Sequence, residues 1–249
     1  MKVLILAGGK GTRYMEETLK MPKPMIPLLN KPMIFHIMEH YISYDYKEFV
    51  ILGGEKVEYI YDYFKKNFNV VDEKNFIFDI NDSFKVQVLD TGQNTMTGGR
   101  VKKAIQLLEL DECMLTYGDG ISDVDIKKLE EFYKSKGTIA TVTGVKPPAR
   151  FGNLKISGDF VESFNEKTIS NDEFINGGYF VMKSDIVNYI EDDTTSLEKE
   201  PMEILSKNKQ LSVYKHSGYF QPVDTIREKE IVEKYLKNNK NDRSRFLEK

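Results

Sequence analysis

The sequence predicts an α/β fold built on a doubly wound sheet. Three observations carry that expectation. Short apolar runs recur through the first half, and several empty into glycine. Segments of helical period fall between them. The second half is richer in strands and ends in one more helical stretch, which adds a β-rich lobe to the sheet.

The elements follow in order. Val3-Leu4-Ile5-Leu6-Ala7 reads as a buried strand that runs into Gly8-Gly9-Lys10-Gly11-Thr12-Arg13. Residues 33–41 read as a helix opened by Pro32, whose fixed φ suits a first turn. Phe49-Val50-Ile51-Leu52 stops at Gly53-Gly54, as a parallel strand meeting a turn would. Val57, Ile60, Tyr61, Phe64 and Phe68 recur at helical spacing. Residues 84–89 alternate like a half-buried strand. Gly98-Gly99 opens a helix carrying Val101, Ala104, Ile105 and Leu108. Cys113-Met114-Leu115-Thr116 is a short strand ending in Tyr117-Gly118-Asp119-Gly120. Further strands are expected at 139–145, 154–156, 160–164, 179–182 and 211–214, with a hairpin turn at Ser157-Gly158-Asp159. Residues 226–236 read as a closing helix before a charged tail. Ligands of such a sheet sit at the carboxyl ends of its strands, so the glycine-rich segments at Gly8, Gly98 and Gly118 are expected to converge on one cleft.

At 249 residues, 40% hydrophobic and 30% charged, the chain fits one large domain with a sizeable core. A formal net charge of -3 argues against a general nucleic-acid binder. The single cysteine, Cys113, excludes an internal disulfide and fits a reducing compartment. The first apolar run is too short for a signal peptide or a membrane span, so a cytoplasmic enzyme without a membrane partner is expected. Oligomeric state is left open, a homo-oligomer included.

The glycine loop carries the chemistry. Glycines let backbone N–H groups turn toward a phosphate, and Arg13 and Lys23 supply charge. The plainer alternative is a tight turn joining strand to helix. Lys23 lies between Pro22 and Pro24, which restrict its backbone. A held ammonium suits a phosphate gaining charge in a transition state. Asp119 and Asp224 sit in loops after strands, where carboxylates suit Mg²⁺; each taken alone is more often a structural turn residue than a metal ligand. His36, His40 and His216 form no catalytic set. No Gly-x-Ser-x-Gly occurs, and Cys113 lies in an apolar strand, so a covalent nucleophile is not expected.

These residues resemble those of the sugar-1-phosphate nucleotidylyltransferases, and within them the cytidylyltransferase branch. The likeness runs nearly end to end. It includes Leu6-Ala7-Gly8-Gly9-x-Gly11-Thr12-Arg13, Pro22-Lys23-Pro24-Met25, Thr97-Gly98-Gly99-Arg100, Tyr117-Gly118-Asp119-Gly120, Ile175-Asn176-Gly177-Gly178 and Gln221-Pro222-Val223-Asp224-Thr225. The resemblance implies a Rossmann-like mixed sheet with a nucleotide-binding half, about 1–135, and an acceptor-binding half, about 136–249. It implies transfer of CMP from CTP to a phosphorylated acceptor, with Mg²⁺. Arg13 and Lys23 would be catalytic. Leu6, Ala7, Gly8, Gly9, Gly11, Thr12, Asn94, Gly99 and Gly118 would contact the nucleotide. Arg100, Glu166, Lys167 and Asn176 would contact the acceptor, and Asp119 and Asp224 would hold the metal. A phosphate acceptor is largely dianionic at neutral pH, so no general base is needed.

The sequence departs from the glucose-1-phosphate pattern in the acceptor half. It has no tryptophan, Ser196 stands at a tryptophan-like position, and the segment before Asp90 is short. Glucose 1-phosphate and a non-sugar phosphate such as phosphoglutamine both remain as acceptors. A thymidylyl- or uridylyltransferase is the alternative donor reading. A non-catalytic nucleotide-binding regulator is the alternative of another class.

Overall fold

The computed structural model describes residues 1–9, 21–147, 153–157, 159–165 and 174–239. The strands are β1 (Lys2–Leu6), β2 (Pro27–Leu28), β3 (Lys31–Pro32), β4 (Glu48–Gly53), β5 (Asn69–Asp72), β6 (Ile77–Ile80), β7 (Phe84–Asp90) and β8 (Glu112–Tyr117). They continue with β9 (Gly120–Ser122), β10 (Ala140–Val145), β11 (Asn153–Ser157), β12 (Phe160–Asn165), β13 (Ile175–Lys183), β14 (Leu211–His216) and β15 (Phe220–Pro222). The helices are α1 (Met33–Ile42), α2 (Val57–Asn67), α3 (Thr97–Leu107), α4 (Ile126–Lys136), α5 (Glu200–Lys207) and α6 (Ile226–Asn238).

Nine strands form one mixed sheet in the order β14-β10-β13-β8-β1-β4-β7-β6-β5. Its middle, β8-β1-β4-β7, is parallel. β13 runs antiparallel between β8 and β10, and β5 and β6 close the other edge as an antiparallel hairpin. β1 explains why the middle is apolar throughout. Val3 and Ile5 face a core shared with α1, α2 and α4, while Leu4 and Leu6 face a second core shared with α3 and α5. A strand buried on both faces cannot alternate with polar residues. Each such side chain contributes about 1.5–3 kcal/mol on burial.

The chain steps from β1 to β4 and β7 on one side, then returns with β8 on the other. That reversal between β1 and β8 is a topological switch point, where a crevice opens at the carboxyl ends of the strands. β1 and β8 finish level, with Leu6 opposite Tyr117, and Gly118 N donates to Leu6 O at 3.0 Å.

The expected elements of the first half are present with small shifts of boundary. α1 begins directly after Pro32, and β11 and β12 pair antiparallel as the expected hairpin; its Gly158 lies outside the described residues. Several features are not among those expected. The hairpin β5–β6 occupies the short segment before β7. α4 has local signals: Asp125 caps it by accepting from Lys128 N, and Gly137 ends it at φ 65, where glycine is favoured. α5 follows the segment that carries Ser196. β9 and β15 form a separate antiparallel ribbon, too short for any periodicity to reveal. Among the described residues no helix is long and apolar enough to cross a membrane.

Candidate active site

The crevice at the switch point is a cavity of about 470 Å³. Leu6, Ala7, Gly8 and Gly9 form one wall, Asn94 to Thr97 another, and Tyr117, Gly118 and Asp119 a third. Lys23 and Asp224 complete it. Of the expected site residues, Gly11, Thr12, Arg13, Glu166 and Lys167 lie outside the described residues.

The ribbon β9–β15 brings the two aspartates together across more than a hundred residues of sequence. Asp119 directly precedes β9, and Asp224 lies two residues past β15. Pro222 pairs with Gly120, and Val223 N donates to Asp119 O at 2.8 Å. Asp224 is pinned from the other side by the start of α6. Thr225 caps that helix by accepting from Glu228 N, and Glu228 Oε2 accepts from Asp224 N at 2.8 Å. This is a capping box displaced by one residue. Its signature, Thr225-x-x-Glu228, is written in the sequence, and Glu228 is a positioning residue not anticipated above. At the far end of the ribbon Asp123 accepts from Tyr219 N at 2.7 Å and bonds His216 Nε2 at 2.9 Å.

Lys23 joins the pair. Its segment is a tight 3₁₀ turn, with Met25 N donating to Pro22 O at 2.8 Å. Nζ donates to Asp119 Oδ2 at 2.9 Å and to Asp224 Oδ1 at 2.7 Å. Burial by itself lowers the Lys23 pKa, but the two carboxylates outweigh it and the net shift is upward, so the ammonium stays charged. Gly118 is required at this junction, because a Cβ there would stand 2.7 Å from both Leu6 O and Pro24 Cγ.

Arg100 organises the wall at Gly8. The resemblance implies that it meets the acceptor, but its guanidinium is buried and committed to the protein. Nη1 donates to Gly53 O at 2.7 Å, Thr91 Oγ1 at 2.5 Å and Gly92 O at 2.9 Å, and Nη2 donates to Gly8 O at 2.9 Å. A Cβ on Gly8 would lie 2.2 Å from Arg100 Cζ, so the turn is glycine because the guanidinium packs against it. Burial lowers the Arg100 pKa, opposed by Asp90 and Asp193.

Gly99 also differs from expectation. It does not line the cavity; a Cβ on it would meet Asp193 Cα at 2.7 Å, and Gly98 N donates to Thr195 O at 3.0 Å. The glycine pair seats the 193–197 segment against α3, while the adjoining Thr97 and Arg100 line the cavity, so all three glycine-rich segments reach the cleft. Asn176 lies at the β13 end: its Nδ2 donates to Tyr117 Oη at 3.0 Å, and Tyr117 Oη donates to Glu198 Oε1 at 2.8 Å. Glu198 also accepts from Ser196 Oγ at 2.7 Å.

The remaining candidates are structural. His36 Nε2 lies 3.0 Å from Leu28 O, and His40 Nε2 lies 2.7 Å from Val124 O. Burial, aided by Lys31 and opposed by the Leu28 carbonyl, lowers the His36 pKa to about 4. Burial raises the Cys113 thiol to about 12, consistent with an inert side chain. Among the described residues no three His, Cys, Asp or Glu side chains cluster as a metal site.

A glycine turn, a lysine bonded between paired carboxylates and a sheet switch point define a nucleotide-handling α/β enzyme. The chain matches the profile of the nucleotidyl transferase family over residues 2–225 and belongs to that family. Glucose-1-phosphate cytidylyltransferase of Salmonella typhi is 40% identical over 243 residues, covering 94% of this chain and 95% of that protein. A probable glucose-1-phosphate cytidylyltransferase of Bacillus subtilis (strain 168) is 37% identical over 236 residues, covering 91% and 92%. The crystal structure of HddC from Yersinia pseudotuberculosis complexed with GMP-PN matches with a TM-score of 0.69 and 26% identity, over 94% of this chain and 99% of that one.

Proposed function

We propose that this nucleotidyltransferase is a CTP-dependent cytidylyltransferase acting on a sugar 1-phosphate, with glucose 1-phosphate as the acceptor. The juxtaposition of Lys23, Asp119 and Asp224 beside the Gly8 turn carries the reading. The names of the relatives support the donor and acceptor. A phosphate oxygen of the acceptor attacks the α-phosphorus of CTP. The bond from that phosphorus to the bridging oxygen of the β-phosphate breaks, and pyrophosphate leaves with the electron pair. The acceptor phosphate is already largely dianionic, so no protein group has to remove a proton.

The obstacle is the approach of two anions. The Gly8–Gly9 backbone and Asn94 line the nucleotide end, and Lys23 meets the α-phosphate as its charge grows. Arg13, Gly11 and Thr12 extend the phosphate grip, and Glu166, Lys167 and Asn176 receive the acceptor. Asp119 and Asp224 offer two hard oxygens that suit Mg²⁺, which takes few protein ligands and leaves the rest to substrate phosphates and water. When bound, Mg²⁺ neutralises charge on both phosphates and on departing pyrophosphate. The nucleotide-binding half runs to about residue 135, at the end of α4, and the acceptor-binding half follows it, in a single domain. The setting is the cytoplasm, where the CDP-activated product feeds surface polysaccharide or capsule synthesis.

A second acceptor reading rests on Ser196. Its hydroxyl bonds Glu198, which in turn holds Tyr117 of the cavity lining, and a polar residue where the family's tryptophan is expected suits a non-sugar phosphate. Pyrophosphate release from CTP, UTP, dTTP, ATP and GTP with each acceptor tests the proposal. CTP with glucose 1-phosphate is expected to dominate, and mass spectrometry identifies the product. Turnover with phosphoglutamine alone supports the second reading. No release with any pair favours a non-catalytic binder.

A further inference from the structure

Lys23 stands where a cation belongs. Its Nζ holds one oxygen of Asp119 at 2.9 Å and one of Asp224 at 2.7 Å, between the two carboxylates that the proposed function assigns to Mg²⁺. Mg²⁺ takes carboxylate oxygens at about 2.0–2.1 Å, inside the space that an ammonium at these distances fills. Two carboxylates brought together by the β9–β15 ribbon need a positive charge between them, and an ammonium and a divalent cation there exclude one another. We propose that Lys23 is the place-holder for the divalent cation, released only when metal and triphosphate arrive together. The inference rests on the reading of Asp119 and Asp224 as the metal pair and of Lys23 as the α-phosphate ligand.

The geometry makes the exchange a side-chain movement. Pro22 and Pro24 fix the Lys23 backbone, so only its four-carbon stem has to turn. The cavity gives it somewhere to go: Lys23 lines the same 470 Å³ space as Gly8 and Gly9. Asp119 has a side-chain exposure of 41%, against 12% for Lys23, so the cation site is open on the Asp119 side. A triphosphate supplies Lys23 with a new anionic partner and the metal with its missing oxygens. Metal alone offers Lys23 nothing in exchange. Metal and nucleotide therefore bind cooperatively, each raising the affinity of the other by the same factor.

The test is Mn²⁺ binding to the full chain, read from the electron paramagnetic resonance signal of free Mn²⁺, with and without α,β-methylene-CTP. For the natural protein the analogue is expected to tighten Mn²⁺ binding by about tenfold or more, within the usual range of coupling between sites. Lys23→Met is expected to bind Mn²⁺ about tenfold more tightly than the natural protein when no nucleotide is present, although it loses turnover. Lys23→Arg keeps the charge and is expected to stay weak. Lys23→Gln repeats the measurement if the methionine variant does not fold. Equal Mn²⁺ affinity in the natural protein and the neutral variants, with nucleotide-dependent binding intact, overturns the place-holder and leaves the proposed function standing. Absence of Mn²⁺ binding in every protein, with the analogue present, overturns the assignment of the carboxylates itself.

Discussion

Arg100 and Lys23 put a positive charge to opposite uses in the lining of one cavity. Arg100 gives four hydrogen bonds, three of them to backbone carbonyls of Gly8, Gly53 and Gly92. Lys23 gives two, both to carboxylates. A neutral carbonyl inside a turn cannot be repartnered without moving the chain. A carboxylate at a cavity wall can exchange one cation for another. The first arrangement builds the wall, and the second leaves a site for chemistry.

Three substitutions probe that contrast. The largest effect is expected on the exchangeable side. Asp224→Asn should lower kcat by about 10²–10³-fold, the scale for one preorganised electrostatic contact. Its thermal midpoint should stay close to that of the natural protein, since Lys23 keeps Asp119. Near-normal turnover would remove Asp224 from the site. On the locked side the effect should appear in stability. Arg100→Met removes four buried hydrogen bonds and takes from Gly8 O its donor, so at about 0.5–1.5 kcal/mol for each bond a loss of about 3 kcal/mol or more is expected in urea unfolding. Arg100→Lys should not restore it, because a single ammonium lacks the planar fork. Unchanged stability in both variants would erase the distinction between the two walls.

His36 extends the rule to a group that titrates. Its partner is the Leu28 carbonyl, and burial holds its pKa at about 4, below the ordinary 6.5. The folded protein therefore binds fewer protons than the unfolded chain between those values. The stabilisation is complete above about pH 6.5 and is lost as the pH falls toward 4, on the order of 3 kcal/mol in all. His36→Gln, which keeps a donor for Leu28, should flatten the decline of thermal midpoint across that window. A variant that melts with the same pH slope as the natural protein would show that other groups carry it. At neutral pH its effect should be the smallest of the four.

Sequence patterns alone specified the apolar strands, because burial on both faces leaves uninterrupted runs such as Val3 to Leu6. They specified α1, α2, α3 and α6 through helical period, and the Pro22-Lys23-Pro24 turn through fixed φ. α4 was legible too, in its Asp125 and Gly137 caps, as was the Thr225-x-x-Glu228 box that holds Asp224. The tertiary structure decided the rest. Nothing local distinguishes Asp119 and Asp224 from turn residues; they become a pair only when a ribbon of three-residue strands sets Pro222 beside Gly120. Nothing local tells that Arg100 serves Gly8, or that Gly99 faces Asp193 and not the cavity. Backbone preference acts over a few neighbouring residues and leaves its mark in their order. Contacts between distant residues arise from the path of the whole chain, and it is at that range that this site is assembled.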